Sequence, residues 1–299
     1  MNPSPRMVLG FSESQAQARA LADTLDIPFA LVDLHQFPDG ESRVRVPPVL
    51  PPRTVVYRSL DQPNAKLVEL GLAAAAAREA GAADLTLVAP YLCYMRQDKA
   101  FAPGEAVSQA LIGALLATWF DTVISVDPHL HRVSSLRAAV PARKAVALSA
   151  AAPLGDYLTH RLDQPLLLGP DQESRQWVAA MAEAHGLDYA VAEKERLGDR
   201  EVAIHLPGLD PRGRDLVLVD DMISTGHTLA ATAQALRPLR PRSISVLVTH
   251  GLFVDGALER LSAAGVDQVW SSDSIPHPTN RVAIAPLLAQ ALTDLGPGP

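Results

Sequence analysis

The sequence predicts an α/β protein made of two similar halves, each a mainly parallel sheet flanked by helices. Short β-rich runs alternate with helical patterns, which is typical of parallel sheets covered by helices. These runs are TVVYRSL, DLTLVAP, TVISVDP, LLLGPD, DLVLVDD, SISVLVTHG and QVWSSDS. One stretch also recurs: TVVYRSLDQPNAKLVEL followed by DLTLVAPYLCY has the same order as LVLVDDMISTGHTLAAT followed by SISVLVTHGLF. The recurrence predicts a duplicated α/β unit.

The boundary between the two halves is predicted near residues 143–152, where AVPARKAVALSAAAP separates them. The first domain then covers 1–147 and the second covers 148–299. Only the second half has an Asp pair followed by a hydroxyl-rich loop, because the first has RSLDQPN at that place. We expect the first copy to have been reassigned to packing or to a second substrate.

Composition excludes several classes of function. The chain has 299 residues and a formal net charge of -7, so it lacks the basic surface that duplex nucleic acid requires. Cys93 is the only cysteine, which excludes an intrachain disulfide and is typical of a reducing compartment. The first residues have no apolar signal core, and no window of membrane-spanning length is free of charge. We therefore expect a cytoplasmic enzyme with no nucleic-acid or membrane partner.

The segment 217–228, VLVDDMISTGHT, predicts a binding site for a phosphorylated sugar. Its apolar start indicates a buried strand that delivers Asp220 and Asp221 to the carboxyl end of a sheet, where open α/β sheets bind ligands. A helix predicted from Leu229 would direct its positive end at a phosphate. Between them lies a loop whose hydroxyls and backbone N–H groups could wrap that phosphate. The loop residues are Ser224, Thr225, Gly226 and Thr228. The alternative is an ordinary strand, turn and helix capped by Asp and Ser.

The same segment resembles the binding motif for phosphoribosyl pyrophosphate (PRPP), and nearly the whole chain is similar to the ribose-phosphate pyrophosphokinases. The matching segments are FPDGE at 37–41, PYLCYMRQDKAF at 90–101, SVDPHLH at 125–131, GPD at 169–171, KER at 194–196, the PRPP motif, and THGLF at 249–253. A PRPP loop alone occurs in any phosphoribosyltransferase, whereas FPDGE, YxRQDK and a K-x-R loop in this order are more specific. The variants ISTG and KERLGDREVAI resemble the archaeal type. The resemblance implies two tandem, duplicated phosphoribosyltransferase-like domains.

The resemblance implies transfer of the β,γ-diphosphoryl group of ATP to the C1 hydroxyl of ribose 5-phosphate, giving PRPP and AMP. Such a transfer depends on positioning, cations and Mg²⁺ more than on a covalent nucleophile. Lys194 and Arg196 are implied as the catalytic cations of a mobile loop, and on an extended segment they would point the same way. Without the family, this run would be a solvated charged hairpin. The residues implied to bind ribose 5-phosphate are Arg196, Asp220, Asp221, Ser224, Thr225, Gly226, His227 and Thr228.

The residues implied to bind ATP lie in two segments of the first domain. They are Phe37, Asp39, Gly40 and Glu41 of FPDGE, and Arg96, Gln97, Asp98 and Lys99 of RQDK. The ring of Phe37 would stack on adenine, and Arg96 could hold a phosphate through two bonds. In family members FPDGE reaches into a neighbouring subunit's site, so a homo-oligomer is implied, dimer-based and up to a hexamer. Taken alone, FPDGE is a β-turn and RQDK an exposed turn or helix start.

The resemblance assigns a metal ion, Mg²⁺, to His129 with Asp171 as its protein partner. An imidazole, one carboxylate and several waters are compatible with this ion. His131 is an extra histidine, expected beside the site or on the surface.

Several residues depart from the family pattern. Glu173 and Ser174 replace small residues close to the expected metal and sugar phosphate, where a carboxylate could bind the metal or repel the phosphate. Cys93 and Met95 stand where Gly and Ala are usual, and we expect them to narrow the nucleotide pocket.

Two other functions stay open on the sequence. A phosphoribosyltransferase would need neither FPDGE nor RQDK, and it would usually lack the first half. A non-catalytic regulatory paralogue is favoured by PDQES, whereas the retained cations and metal residues argue against it.

Overall fold

The computed structural model describes residues 6–130, 132–196, 202–205 and 210–296, with only the backbone given for 193–196 and 202–205. These residues form two compact units. The first contains the described residues up to Leu148, together with Ser274–Pro276 and those from Ile284 onward. The second contains Ser149–Asp273 and His277–Ala283. The end of the chain therefore belongs to the unit in which the chain starts.

The first unit is built on a six-stranded parallel sheet and one hairpin. Its strands are β1 (Arg6–Gly10), β2 (Phe29–Leu31), β3 (Asp33–Gln36), β4 (Ser42–Arg45), β5 (Arg53–Tyr57), β6 (Asp84–Val88), β7 (Thr122–Val126) and β8 (Lys144–Leu148). The sheet has the order β2-β1-β5-β6-β7-β8, and β3 pairs with β4 as an antiparallel hairpin.

The second unit repeats this plan. Its strands are β9 (Leu166–Gly169), β10 (Tyr189–Val191), β11 (Glu193–Arg196), β12 (Val202–His205), β13 (Asp215–Ile223), β14 (Ser243–Gly251), β15 (Gln268–Ser272) and β16 (Asn280–Val282). The parallel sheet has the order β10-β9-β13-β14-β15-β16, and β11 pairs with β12 as a hairpin. The predicted duplication of a parallel α/β unit is confirmed.

Helices and short 3-10 turns connect the strands. The helices are α1 (Gln15–Leu25), α2 (Pro63–Glu79), α3 (Ser108–Trp119), α4 (Leu136–Ala139), α5 (Ala151–Arg161), α6 (Arg175–His185), α7 (His227–Leu236), α8 (Ala257–Ala263) and α9 (Ala285–Asp294), and the 3-10 turns are Ser12–Ser14 and Arg237–Leu239. Among the described residues, the structure has no helix with the length and hydropathy to cross a membrane.

The central strands are apolar because both faces of each sheet are covered. All five residues of β7 are buried, as are the first five residues of β13. Parallel strands covered on both sides have such continuous apolar runs. In each sheet the chain order reverses beside the first strand, between β1 and β5 and between β9 and β13. Open α/β sheets bind ligands outside the carboxyl ends of the strands at this reversal, so each unit has one expected crevice.

Candidate active site

The acidic pair of the second unit lies within a strand that is longer than predicted. β13 continues to Ile223, and its pairing with β14 extends along this whole length. Its pairing with β9 stops at Leu218. Asp220 and Asp221 therefore lie where β13 has lost its neighbour on one side, at the crevice expected for ligands. Asp221 is buried at 3% exposure, and Asp220 is partly buried.

Two further carboxylates, those of Asp221 and Asp171, act electrostatically on Asp220 at this crevice. Partial burial raises the pKa of Asp220 well above its usual range, and the negative charges of Asp221 and Asp171 raise it further. The backbone N–H of Asp221 donates to Asp220 Oδ1 at 3.0 Å, which opposes the shift. Negative charge concentrated in this way favours a ligand that brings hydroxyl donors or a cation.

No metal cage is preformed in the part of the chain that the structure describes. Within those residues, no group of three or more His, Cys, Asp and Glu side chains could enclose a metal ion. Asp171, after β9, accepts bonds at Oδ1 from the N–H groups of Glu173 (3.0 Å) and Ser174 (3.2 Å). A cation held by so few protein ligands would need water or substrate oxygens to complete its coordination, as Mg²⁺ commonly does.

Helix α7 begins directly after the acidic pair and its loop. Its first residue is His227, two residues earlier than predicted, because Gly226 at φ 73° turns the chain into the helix. In the described part of the chain, no side chain caps this helix start. The Asp and Ser cap of the alternative interpretation is therefore not formed. The N–H groups of the first turn and the helix dipole together favour an anion at this end.

The loop before α7 is held from behind by the segment that follows β14. The N–H of Leu252 donates to Ile223 O at 2.9 Å, and the N–H of Val254 donates to Ser224 O at 3.1 Å. The guanidinium of Arg260 donates to the carbonyl oxygen of Thr225. These bonds use the loop's carbonyl groups and fix its shape. His227 and Thr228, in the first helical turn, are exposed.

The GPDQES turn explains one departure from the family pattern. Ser174 is fully buried, and its hydroxyl donates to the carbonyl oxygen of Asp171 at 2.6 Å. A Cβ at residue 169 would lie 2.4 Å from Ser174 Oγ. The serine at 174 therefore requires a glycine at 169. Ser174 therefore shapes the turn that presents Asp171. Glu173 is exposed on the same turn.

The predicted catalytic cations lie on the first strand of the β11–β12 hairpin. Lys194 pairs with Ile204 and Arg196 pairs with Val202 in the backbone register. Positions two apart on a strand share one face of the hairpin. The connecting residues 197–201 lie outside the described residues, as do the side chains of both strands.

The FPDGE segment forms the exposed tip of the β3–β4 hairpin. The N–H of Phe37 donates to Glu41 O at 2.7 Å, and Glu41 N–H donates to Asp39 Oδ1 at 3.1 Å. Gly40 has φ 93°, which favours glycine. The ring of Phe37 is 41% exposed and packs edge-on against His35 at 4.9 Å. A partly exposed aromatic ring is thus held on a hydrogen-bonded turn at the tip of the hairpin.

The RQDK segment divides into exposed and engaged residues. Arg96 and Lys99 are exposed. Gln97 Oε1 accepts from the hydroxyl of Ser108 at 2.6 Å, and Asp98 pairs with Arg132 at 2.6 Å with its carboxylate only 2% exposed. The two cations are therefore available to an anionic ligand, while Asp98 is committed to Arg132.

Cys93 and Met95 precede this segment and do not line a pocket. Both are 2% exposed and belong to the hydrophobic core of the first unit, so the expectation that they narrow a nucleotide pocket is wrong. Burial raises the pKa of the Cys93 thiol to about 12. The next residue, Tyr94, has φ 60° and turns the chain outward to Arg96.

His129 follows β7 at the carboxyl end of the first sheet. It is partly buried, and Asp127 before it has φ 37°, a left-handed conformation that aspartate adopts more readily than most residues other than glycine. This turn directs Pro128 and His129 away from the strand. His131 lies outside the described residues.

Three supporting residues were not found from the sequence. Arg260 donates to the loop before α7, Arg132 pairs with Asp98, and Ser108 donates to Gln97. Arg260 lies in α8, far along the chain from the motif that it contacts, and no local pattern marks it.

Comparison with known proteins identifies the family. A model described as the N-terminal domain of ribose phosphate pyrophosphokinase matches residues 6–119, and a phosphoribosyl transferase domain model matches 141–285. The ribose-phosphate pyrophosphokinase of Methanopyrus kandleri is 39% identical over 293 residues, which cover 97% of this chain and 99% of the relative. That of Thermococcus kodakarensis is 38% identical over 257 residues, which cover 86% and 90%.

A solved structure agrees with these matches. The crystal structure of phosphoribosylpyrophosphate synthetase from Mycobacterium smegmatis has a TM-score of 0.83 and 25% identity, with 97% of this chain and 98% of that chain covered. The predicted fold and the predicted family are both confirmed. This chain belongs to the ribose-phosphate pyrophosphokinase family.

Proposed function

We propose that this chain makes PRPP by transferring the β,γ-diphosphoryl group of ATP to the C1 hydroxyl of ribose 5-phosphate, with release of AMP. The observation that carries the proposal is that two carboxylates near the end of β13 are followed at once by the start of α7, which no side chain of the described residues caps. Asp220 and Asp221 lie just before Gly226, where α7 begins. A phosphorylated sugar needs both features, since its hydroxyls donate to carboxylates and its phosphate accepts from N–H groups.

The second unit is assigned to ribose 5-phosphate. Asp220 and Asp221 accept from the sugar hydroxyls, which offsets the unfavourable concentration of negative charge that raises the pKa of Asp220. The 5-phosphate is bound by Ser224, Thr225, Gly226, His227 and Thr228, with Arg196 as a further contact. Because Arg260 and Val254 already bind the loop's carbonyl groups, its N–H groups and hydroxyls are left to the ligand.

The first unit is assigned to ATP. Phe37 stacks on the adenine, while Asp39, Gly40 and Glu41 form the rest of the contact. Arg96 and Lys99, both exposed, bind phosphate oxygens, and Gln97 donates to the nucleotide because its carbonyl oxygen is used by Ser108. Asp98 keeps the segment in place through Arg132. The functional division into residues 1–147 and 148–299 remains a prediction.

The donor set fits a hard divalent cation such as Mg²⁺. Asp171 and Asp220 interact electrostatically at the crevice, and carboxylate oxygens are the ligands this ion prefers. We assign Asp171 and His129 as its protein ligands. When bound, Mg²⁺ supplies charge neutralisation of the triphosphate.

Lys194 and Arg196 are assigned to stabilise the negative charge that develops on the diphosphoryl group during transfer. Their alternate positions on β11 place both on one face of the hairpin, which suits two cations that act on one group. A homo-oligomer in which residues 37–41 reach a neighbouring subunit, and a cytoplasmic location, complete the proposal as predictions from the sequence.

The test is product analysis with ATP, Mg²⁺ and ribose 5-phosphate. Equal amounts of AMP and PRPP are expected, whereas ADP as the nucleotide product would exclude diphosphoryl transfer. Lys194→Ala should lower kcat by about 100- to 1000-fold with an unchanged Tm, since one preorganised donor contributes roughly that factor. Arg212→Ala, at an exposed cation beyond the hairpin, is the control and should retain normal turnover. Pyrophosphate release from PRPP and a nucleobase would support a phosphoribosyltransferase instead.

A further inference from the structure

The crevice of the first unit contains a buried cation where the second unit has its acidic pair. Arg58 follows β5, and it precedes Asp220 by 162 positions, the same spacing that separates Val55 from Val217. β5 and β13 occupy the same place in the two sheet orders. Arg58 is only 2% exposed. The first copy of the site has therefore been closed by an arginine side chain.

The guanidinium of Arg58 is surrounded by partners within the first unit. Its Nε pairs with Glu13 Oε1 at 2.7 Å and its Nη2 with Glu69 Oε2 at 2.5 Å. Nη1 donates to the carbonyl oxygen of Lys66 at 3.1 Å, and the group stacks on the ring of Phe11 at 3.8 Å. A charge buried to this extent is tolerated only when such partners compensate for the loss of water. The geometry of Arg58 in turn fixes Glu69.

Glu69 connects this cluster to the β3–β4 hairpin. Its side chain is 9% exposed, and its second oxygen, Oε1, accepts from the hydroxyl of Ser42 at 3.1 Å. Ser42 is the first residue of β4 and directly follows Glu41 of the FPDGE tip. One hydrogen bond therefore joins the first residue of β4, next to the tip of the hairpin, to a carboxylate that Arg58 holds from behind. A bond to a charged acceptor in a buried setting is stronger than an ordinary one.

The corresponding hairpin of the second unit cannot make this bond. β11 and β12 follow β10 as β3 and β4 follow β2, and five residues separate the strands in both hairpins. Val202 is the first residue of β12, as Ser42 is the first residue of β4. Valine has no hydroxyl to donate. The anchor is thus a property of the first hairpin.

We propose that Glu69 is a positioning residue for the nucleotide-binding hairpin. Held by Arg58, it anchors Ser42 and so presents the Phe37–Glu41 tip in one orientation to the adenine of ATP. The Arg58 side chain that closes the crevice of the first unit thus helps to orient the hairpin tip that contacts the nucleotide. The adenine contact is part of the proposed function, so this inference rests on it.

The experiment compares Ser42→Ala with the wild type, since this change leaves the buried Arg58–Glu69 pair intact. Amide hydrogen exchange of residues 33–45 should become about tenfold faster, the factor for loss of roughly 1.4 kcal/mol. KM for ATP should rise about three- to tenfold, with kcat and KM for ribose 5-phosphate within about twofold of the wild type, because the change acts on nucleotide placement alone. Ser42→Thr, which keeps the hydroxyl, should restore both values.

Ser243→Ala is the matched control, because Ser243 also begins a strand and donates to a buried, arginine-paired carboxylate, Asp215, at 2.6 Å. It should change neither KM. Unchanged exchange of residues 33–45 in Ser42→Ala would overturn the anchor itself. Faster exchange with an unchanged KM for ATP would overturn the link to the nucleotide. Failure of the proposed function is separately visible, since the wild type would then form no AMP while the exchange result would still stand.

Discussion

Two aspartates on β13 have opposite electrostatic environments, one that stabilises the ionised side chain and one that we propose a ligand relieves. At the amino end, Asp215 accepts from Arg242 Nε at 2.9 Å and from Ser243, and these bonds lower its pKa. At the carboxyl end, Asp220 has its pKa raised by burial and by the carboxylates beside it. Unfavourable charge of this kind persists where a ligand relieves it.

We predict that Asp215→Asn is destabilising at neutral pH and less destabilising in acid. The pKa of Asp215 in the folded state is lowered, so its ionised form adds stability above the unfolded value of about 4. That contribution is lost as the pH falls through the lower, folded-state pKa. The difference in Tm between variant and wild type, measured from pH 7 to pH 3, should therefore become smaller once the pH falls below about 4.

The control for this prediction is Asp188→Asn. Asp188 pairs with Arg214 at 2.6 Å but is 57% exposed, and exposed pairs contribute little to stability. The Tm of Asp188→Asn should stay close to that of the wild type at every pH. An equal loss of Tm in both variants, or a loss for Asp215→Asn that is as large at pH 3 as at pH 7, would contradict the account.

At the residue scale, the sequence predicted which side chains are present but not how their hydrogen-bonding capacity is used. Asp98 is predicted to bind ATP, and its ion pair with Arg132 is a contact that the motif does not indicate. Ser174 was recognised as a departure from the family pattern, but its hydroxyl bond to the carbonyl oxygen of Asp171 was not predicted. Both outcomes depend on partners set by turns of the chain, which motif matching does not describe.

At the scale of elements, the two hairpins are copies that bear different chemistry. Both leave the sheet after its edge strand and return before its central strand, and each packs against the helix that follows that strand, β4 on α2 and β12 on α7. One carries the aromatic tip and the other carries Lys194 and Arg196. Duplication thus provides two hairpins at equivalent places, and substitution has given them separate proposed roles.

We predict that Gly226→Ala weakens the binding of ribose 5-phosphate. Gly226 has φ 73°, where a side chain costs about 1–2 kcal/mol, so alanine would shift the start of α7 away from the phosphate position. KM for ribose 5-phosphate should rise at least tenfold, and the free energy of unfolding should fall by about 1 kcal/mol. Steady-state kinetics and urea unfolding measure the two effects.

Gly186→Ala is the matched control for that prediction. Gly186 ends α6 with φ 62° and has no atom within 4 Å of an added Cβ, so it carries the same backbone strain outside the candidate site. It should lose comparable stability without a change in KM. If both variants altered KM alike, general destabilisation would explain the result.

The boundaries of elements were less predictable than their existence. The sequence predicted a strand, a loop and a helix over 217–228 in the right order, but the strand extends to Ile223 and the helix begins at His227. The extension follows from pairing with β14, and the early helix start follows from the left-handed Gly226. Both causes depend on tertiary contacts or backbone angles that the local pattern does not reveal.

At the scale of the whole molecule, the repeat extends to details of side-chain bonding. In the first unit, Asp121 precedes β7 and accepts from the N–H of Leu85 at 2.8 Å. In the second, Asp267 precedes β15 and accepts from the N–H of Ile244, also at 2.8 Å. Leu85 and Ile244 occupy matching places in the repeat. The sequence suggested the duplication from strand patterns alone, and these bonds support it independently.

The chain returns to the first unit after the second is complete, which the sequence did not predict. Helix α9 packs on α1 and β8. Basic side chains from the amino ends of three strands bind the carbonyl oxygens at its end. The bonds run from Arg6 to Leu292 (3.2 Å), from Arg53 to Gly296 (2.6 Å) and from Lys144 to Leu295 (3.2 Å). Cations at a helix carboxyl end offset its dipole and satisfy its last carbonyl groups.

This return predicts that a defect in α9 loosens the first unit. Leu288 of α9 is fully buried, so Leu288→Ala should cost about 2–5 kcal/mol. Native-state hydrogen exchange should then become faster in α1 and the first sheet, with β13 and β14 protected as in the wild type. Leu236→Ala, at an equally buried leucine of α7, should give the opposite pattern. Faster exchange confined to the second sheet in Leu288→Ala would show that α9 stabilises the half that precedes it in sequence, contrary to the contacts of this helix.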